Sequence, residues 1–153
     1  MIILCLTLIS NIYDDPTKWI YSPSEYSASA TLVTIINSNL NSSVYFNDIE
    51  DSFVAFDDSN NIRGVATRIV PPCTEVFCLY PRPIWQMLIG GGTSPSNVNY
   101  ATTITFRYHD ASEDKIYDLQ NTFTWSLNAA IGDSESPETY TAIMPLPSPF
   151  PFS

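Results

Sequence analysis

The chain has 153 residues and a mass of 17.1 kDa, which suits one domain, or one domain with a tail. Lys plus Arg number 6 against 16 Asp plus Glu, a formal net charge of −10; with no basic cluster to focus the opposite field, such a surface repels nucleic-acid phosphates and anionic lipid headgroups. Hydrophobic residues make up 44% of the chain and aromatic residues 13%, enough apolar surface for a core, so a disordered chain is excluded.

The chain opens with an apolar run, Met1–Ser10, which is too short to span a bilayer, a task that takes about 20 residues. Two readings stand. It has the length of a signal-peptide h-region, without a basic residue before it or an A-x-A-like site after it. It also has the composition of a β-strand, with Ile2, Ile3, Leu4, Leu6 and Leu8 as its apolar side chains. Residues 1–15 are therefore set apart from a domain over 16–143. No later window carries apolar residues at helical spacing over three turns, and Pro and Gly punctuate runs rich in Thr, Val, Ile, Tyr and Phe, the pattern of short strands joined by turns.

Tyr26 to Asn37 alternates and predicts a strand with Ala28, Leu32 and Ile36 on one face. Asn41-Ser-Ser43 is the N-glycosylation sequon, set in a polar turn. Ser52–Phe56 predicts a second strand, Asp57–Asn61 a turn of residues that bond their own backbone, and Ile62–Val70 the returning hairpin partner. Cys73 and Cys78 follow, in a loop between Pro72 and Pro81. Their spacing is not that of a zinc site, and a short disulfide-closed loop, implying an oxidising compartment, is the expectation. Ile84–Ile89 predicts a buried strand that Gly90-Gly-Gly92 ends in a flexible turn. Thr102–His109 alternates, with Thr103, Thr105 and Arg107 on one face and Ile104, Phe106 and Tyr108 on the other. After a turn at Asp110–Asp114, Lys115–Leu119 returns, and Thr122–Asn128 forms another strand with Phe123, Trp125 and Leu127 on one face. The expected fold is all-β, an antiparallel sandwich of about seven to eight strands. Residues 144–153, with Pro at 145, 147, 149 and 151, predict a polyproline linker or arm, as in a fragment of a longer chain or an arm that docks on a neighbour.

Candidate chemistry is sparse. The single histidine, His109, has Asp110 beside it, but adjacent strand residues point to opposite faces, and no G-x-S-x-G elbow is present. The Asp57–Asn61 turn offers oxygen ligands for calcium from Asp57, Asp58 and Asn60, without the spacing of an EF-hand loop. No other cofactor is expected, and no enzymatic activity. Trp19, Trp85 and Trp125 are candidates for a sugar-stacking platform; Trp85 and Trp125 sit in runs that read as core, and Trp19, beside Tyr21, is the least explained.

The ordered motifs resemble a β-sandwich repeat domain of large secreted and cell-surface proteins of marine bacteria, protists and viruses. The resemblance rests on Trp19 with Pro23-Ser-Glu-Tyr26, on Asp51 before Phe53-Val-Ala-Phe56, on Ile62-Arg63-Gly64-Val65, on Trp85–Gly90, on Thr105-Phe106 with Asp110 and Tyr117, and on Ile131-Gly132 with Pro137. It spans roughly Trp19 to Ile143, and the Cys73–Cys78 loop departs from it as a local insertion. It implies extracellular or cell-surface display, often in tandem, and carries no assigned chemistry. Among its recurring residues Gly64 suits a close backbone approach or a bulge, and Arg63 is expected to pair with Asp51 across the hairpin, with Asp110 and Gly132 as further structural positions. The functional expectation is a non-enzymatic structural or adhesion module, a filament subunit joined by strand exchange through Met1–Ser10. Its partners are then copies of itself or neighbouring repeats. The alternative is a carbohydrate-binding module whose partners are glycans.

Overall fold

β-branched and aromatic side chains at period two drive the described part of this chain into strands. The structure, a computed structural model, describes residues 11–70, 82–92 and 101–146. The Met1–Ser10 segment, the Cys73–Cys78 loop and its expected disulfide, and residues 147–153 of the arm lie outside the described residues.

Nine strands run in chain order: β1 Ala28–Ser38, β2 Ser52–Phe56, β3 Ile62–Val65, β4 Thr67–Ile69, β5 Ile84–Gly91, β6 Thr103–Asp110, β7 Lys115–Thr124, β8 Ala130–Ile131 and β9 Glu138–Ala142. Their order across the fold is β3-β2-β6-β7-β9-β1-β5-β4, with β8 beside β1. The all-β expectation holds. Pairing is antiparallel except where β1 meets β8 and β9, which run parallel to it, so the sheet is mixed. That parallel pairing is possible because most of the chain separates β1 from β9, leaving ample length for the crossover.

The strands form a ring that is nearly closed into a barrel. On one side β7 joins β9 through the Leu119–Ala142 pair. On the other, the predicted strand Ile62–Val70 is split at Ala66. Its first half pairs with β2 and its second half with β5, so one run of chain crosses from one layer to the other. Gly64 makes the crossing possible, since a Cβ there would lie 2.5 Å from the Leu88 carbonyl of β5.

Three further expectations are corrected. Gly90 and Gly91 do not form a flexible turn; they continue β5 in register with Ser29 and Ala28 of β1, and the absence of a Cβ leaves room for Tyr26 against Gly90 and the Trp125 ring against Gly91. Lys115–Leu119 and Thr122–Asn128 are not separate strands: β7 is continuous to Thr124, and a register shift against β6 between Thr105 and Arg107 absorbs the extra residues. Leu127 lies beyond the end of β7 and is exposed.

Leu32, Phe53, Trp85, Met87, Phe106 and Trp125 fill the interior between the layers, with Phe106 edge-on to Tyr140 at 5.0 Å. A smaller cluster on the outer face of β2 joins Val54 and Phe56 to Trp19.

Candidate functional site

Sequence reasoning pointed to Arg63, and the structure buries it between β3 and β5. Ala55 pairs with Gly64 but Phe56 with Ile62, so Arg63 is the extra residue of a bulge, which re-aims its side chain inward. It is fully buried. Its Nε donates to the Gly90 carbonyl (2.6 Å), its Nη1 donates to Asp57 (3.2 Å), and its guanidinium lies over the Tyr26 ring, 4.8 Å from the centroid. The expected Arg63–Asp51 pair is not formed: Asp51 precedes β2, at the end of the hairpin away from Arg63. Tyr26 in turn donates its hydroxyl to the Ile62 carbonyl (2.7 Å) and stacks on Tyr21. Burial raises both phenol pKa values, and the Arg63 charge partly offsets this.

The candidate calcium ligands are divided by the same network. Asp57 accepts from the Ser59 and Asn61 amides (both 2.9 Å) and from Arg63, so its charge is already matched. Asp58 accepts from Thr102, and Asn60 takes the left-handed conformation (φ 61) that the turn requires. Among the described residues no group of three or more His, Cys, Asp or Glu side chains is placed to share a metal ion.

Asp51 instead ties the bottom of β6. It accepts from the Tyr108 hydroxyl and from the Ala111 amide (2.9 Å). Burial, and then the neighbouring Asp51, raise the Tyr108 pKa far above the ordinary phenol value. Asp110 caps the following turn, accepting from Ser112 and from the Glu113 amide. His109 is oriented by Asp114 (3.1 Å), not by Asp110, and meets the edge of Trp19. Gly132, with φ +65, packs against the Val33 carbonyl, where no side chain fits. Asn41 of the sequon is exposed on its turn and accepts from the Ser43 amide (3.0 Å).

Sequence reasoning placed Arg107 on an outward face but missed its task. It clamps a strap, residues 11–20, across the outer face of the β3-β2-β6-β7 layer. Arg107 donates to Asp14 (2.7 Å), to the Tyr13 carbonyl (3.0 Å) and to Asp118 (2.7 Å), and its guanidinium lies 3.6 Å from the Tyr13 ring centroid. Burial alone lowers the Arg107 pKa, but the hydrogen bonds to Asp14 and Asp118 outweigh it, and the net shift is upward. Tyr13 packs edge-on to Phe56 at 4.8 Å, and Trp19 folds back over Phe56 while donating its indole N–H to the Ile12 carbonyl (3.0 Å). Trp19 is therefore a strap anchor. It is 6% exposed, Trp85 2% and Trp125 1%, so none of the three offers a sugar-stacking face.

Among the described residues the order of strands ends at β3 and β4, and β7 meets β9 through a single pair that leaves part of the β7 edge open. β9 runs antiparallel to β7 as far as Ile143, whose amide donates to the Asp118 carbonyl (2.9 Å). Alternation along β7 turns the amide and carbonyl of Ile116 in the same outward direction. Counting on from the Leu119–Ala142 pair, Ile116 falls opposite Pro145, which has no N–H to offer. The β9 ladder ends before this point, and on the opposite side, toward β1, the Met144 amide donates to Asn39 Oδ1 (2.8 Å). The result is a cleft of about 530 Å³ along the Lys115–Asp118 edge, lined on its far side by Ile143, Met144 and Pro145. Ile143 is 48% exposed at its mouth. Among the described residues nothing bonds the Ile116 backbone on this side, so the cleft combines strand-pairing groups with apolar walls. The only sequence signal for it was the position of Pro145. Among the described residues no helix is long and apolar enough to cross a membrane. No protein-family profile, characterised protein or solved structure matches the chain.

Proposed function

We propose that the protein is a non-enzymatic structural or adhesion module of the extracellular space that assembles by strand addition. The observation that carries this reading is the open edge of β7. Beside Pro145 the Ile116 amide and carbonyl face a cleft with apolar walls, and an unpaired strand edge is something folded proteins ordinarily cover. Addition of an extended segment to such an edge is a common mode of recognition, with main-chain hydrogen bonds supplying affinity and apolar pockets specificity. The buried arginine, its tyrosines and the carboxylates around Asp51 serve the scaffold in this reading, and the exposed Asn41 sequon and the resemblance to secreted repeat domains support the compartment.

Light scattering after size exclusion, with negative-stain electron microscopy, tests the proposal on the intact protein. Mass should rise with concentration beyond one chain. Ile143→Lys, which puts a charge at the mouth of the cleft on an exposed residue, should hold the protein at the mass of one chain. An intact protein that stays at 17.1 kDa up to millimolar concentration sinks the reading.

A further inference from the structure

We infer that the occupant of the β7 cleft is the Met1–Ser10 segment of a second copy of this chain. This rests on the strand-addition reading above and names its partner.

The protein's own arm is a poor occupant. Continued in the register of β9, Pro145 falls opposite Ile116, the outward-facing residue nearest the start of β7 at Lys115. Pro145 has no N–H for the outward Ile116 carbonyl to accept. Met1–Ser10 has no proline and no charged side chain. As a strand, its even positions Ile2, Leu4, Leu6 and Leu8 fall on one face, matching the apolar walls at Ile143 and Met144. A neutral segment also avoids adding to the repulsion between two chains of charge −10.

The geometry sets where donor and acceptor lie. Ile12, where the described chain begins after Asn11, lines a small pocket with Asn60, Asn61 and Ile62, beside β3. The strap then crosses β2 at Tyr13 and reaches β6 and β7 at Asp14, through Arg107 and Asp118. The donor segment thus joins its domain on the β3 flank of the layer, whereas the acceptor is the β7 flank of the same layer. Donor and acceptor are different surfaces of one chain, so the exchange either closes reciprocally between two copies or propagates as a ring or an open filament.

The test uses two full-length variants. Leu4→Pro/Leu6→Pro removes pairing groups from the donor and keeps the cleft; Ile143→Lys blocks the cleft and keeps the donor. Each alone should run at the mass of one chain, and an equimolar mixture should double that mass and go no further, while the intact protein assembles without a partner variant, as a closed pair or an extended series. Met144→Lys serves as a second cleft block if Ile143→Lys does not keep the near-UV circular dichroism of the intact fold. If the proline variant assembles as the intact protein does, another segment fills the cleft; the inference is overturned and the strand-addition reading survives. If the intact protein assembles but the mixture does not form the twofold species, the acceptor lies elsewhere and the inference is again overturned. If the intact protein does not assemble, both fall together.

Discussion

The side chain that ties β3 to β5 inside the fold is a cation, and the cost of removing its partner follows from its burial. Arg63 is fully buried and Asp57 nearly so, and Asp57 also holds the turn that precedes β3. Taking away one member of a buried pair leaves the other charge uncompensated, at about 3–5 kcal/mol. Asp57→Ala should therefore lower the unfolding free energy by that amount in urea titration. Arg107→Ala, whose partners Asp14 and Asp118 are mostly exposed, should cost only about 1 kcal/mol from its ion pairs. Equal effects would mean that the Arg63 network is not the tie described here. Sequence found Arg63 but mispaired it. The hairpin register, a product of pairing, puts Asp57 at the turn end beside Arg63 and Asp51 at the far end, and the bulge at Ala55 and Phe56 turns the guanidinium inward.

The phenols add a pH dependence at the same scale. Burial, and to a lesser degree Glu138, push the Tyr140 pKa up to about 12, from 10.0. The folded state holds this proton more tightly than the unfolded state, so the contribution is fully present below pH 10 and is lost as pH rises through 12. The difference is on the order of 2–3 kcal/mol. Tyr140→Phe keeps the ring against Phe106 and should flatten the fall in stability between pH 10 and 12. An unchanged slope would assign the alkaline loss to other groups, of which Tyr108 is the first to examine.

Among the elements, those fixed by local alternation were readable and those fixed by long-range pairing were not. Thr103–Asp110 has its faces as the period of two dictates, and Ser52–Phe56 ends where the Asp57 turn begins. The break of Ile62–Val70 at Ala66 was invisible, because nothing in that run says that its second half will leave β2 for β5. The strap was equally hidden. Its short 3-10 turns at Ile12–Asp14 and Pro16–Lys18 bury little of their own, and their purpose appears only once Tyr13 and Trp19 are seen over Phe56. That arrangement predicts a local opening. Tyr13→Ala removes both the Phe56 contact and the ring under Arg107, so amides of residues 11–20 should exchange with deuterium several-fold faster while those of β5 keep their protection. Acceleration spread evenly over β5 and β1 would mean that the strap is part of the global folding unit and not a separable cover.

For the whole molecule the decisive quantity is charge. Each copy carries −10, and this field opposes the approach of any two copies over roughly a Debye length, about 30 Å at 0.01 M salt and about 8 Å at 0.15 M. The contact proposed between copies is main-chain pairing and aliphatic burial around Ile143, neither of which salt weakens appreciably. Salt should then act only on the repulsion. Raising ionic strength from 0.01 to 0.15 M should lower the concentration at which the intact protein begins to assemble by severalfold, read as the midpoint of weight-average mass against concentration. The Arg107–Asp14 pair is screened over the same range, but Tyr13 and Trp19 hold the strap by packing, so loss of that pair should not reverse the trend. Assembly that weakens as salt rises would identify an ionic interface. It would place the contact on the few exposed lysines and arginines instead of on the open edge of β7.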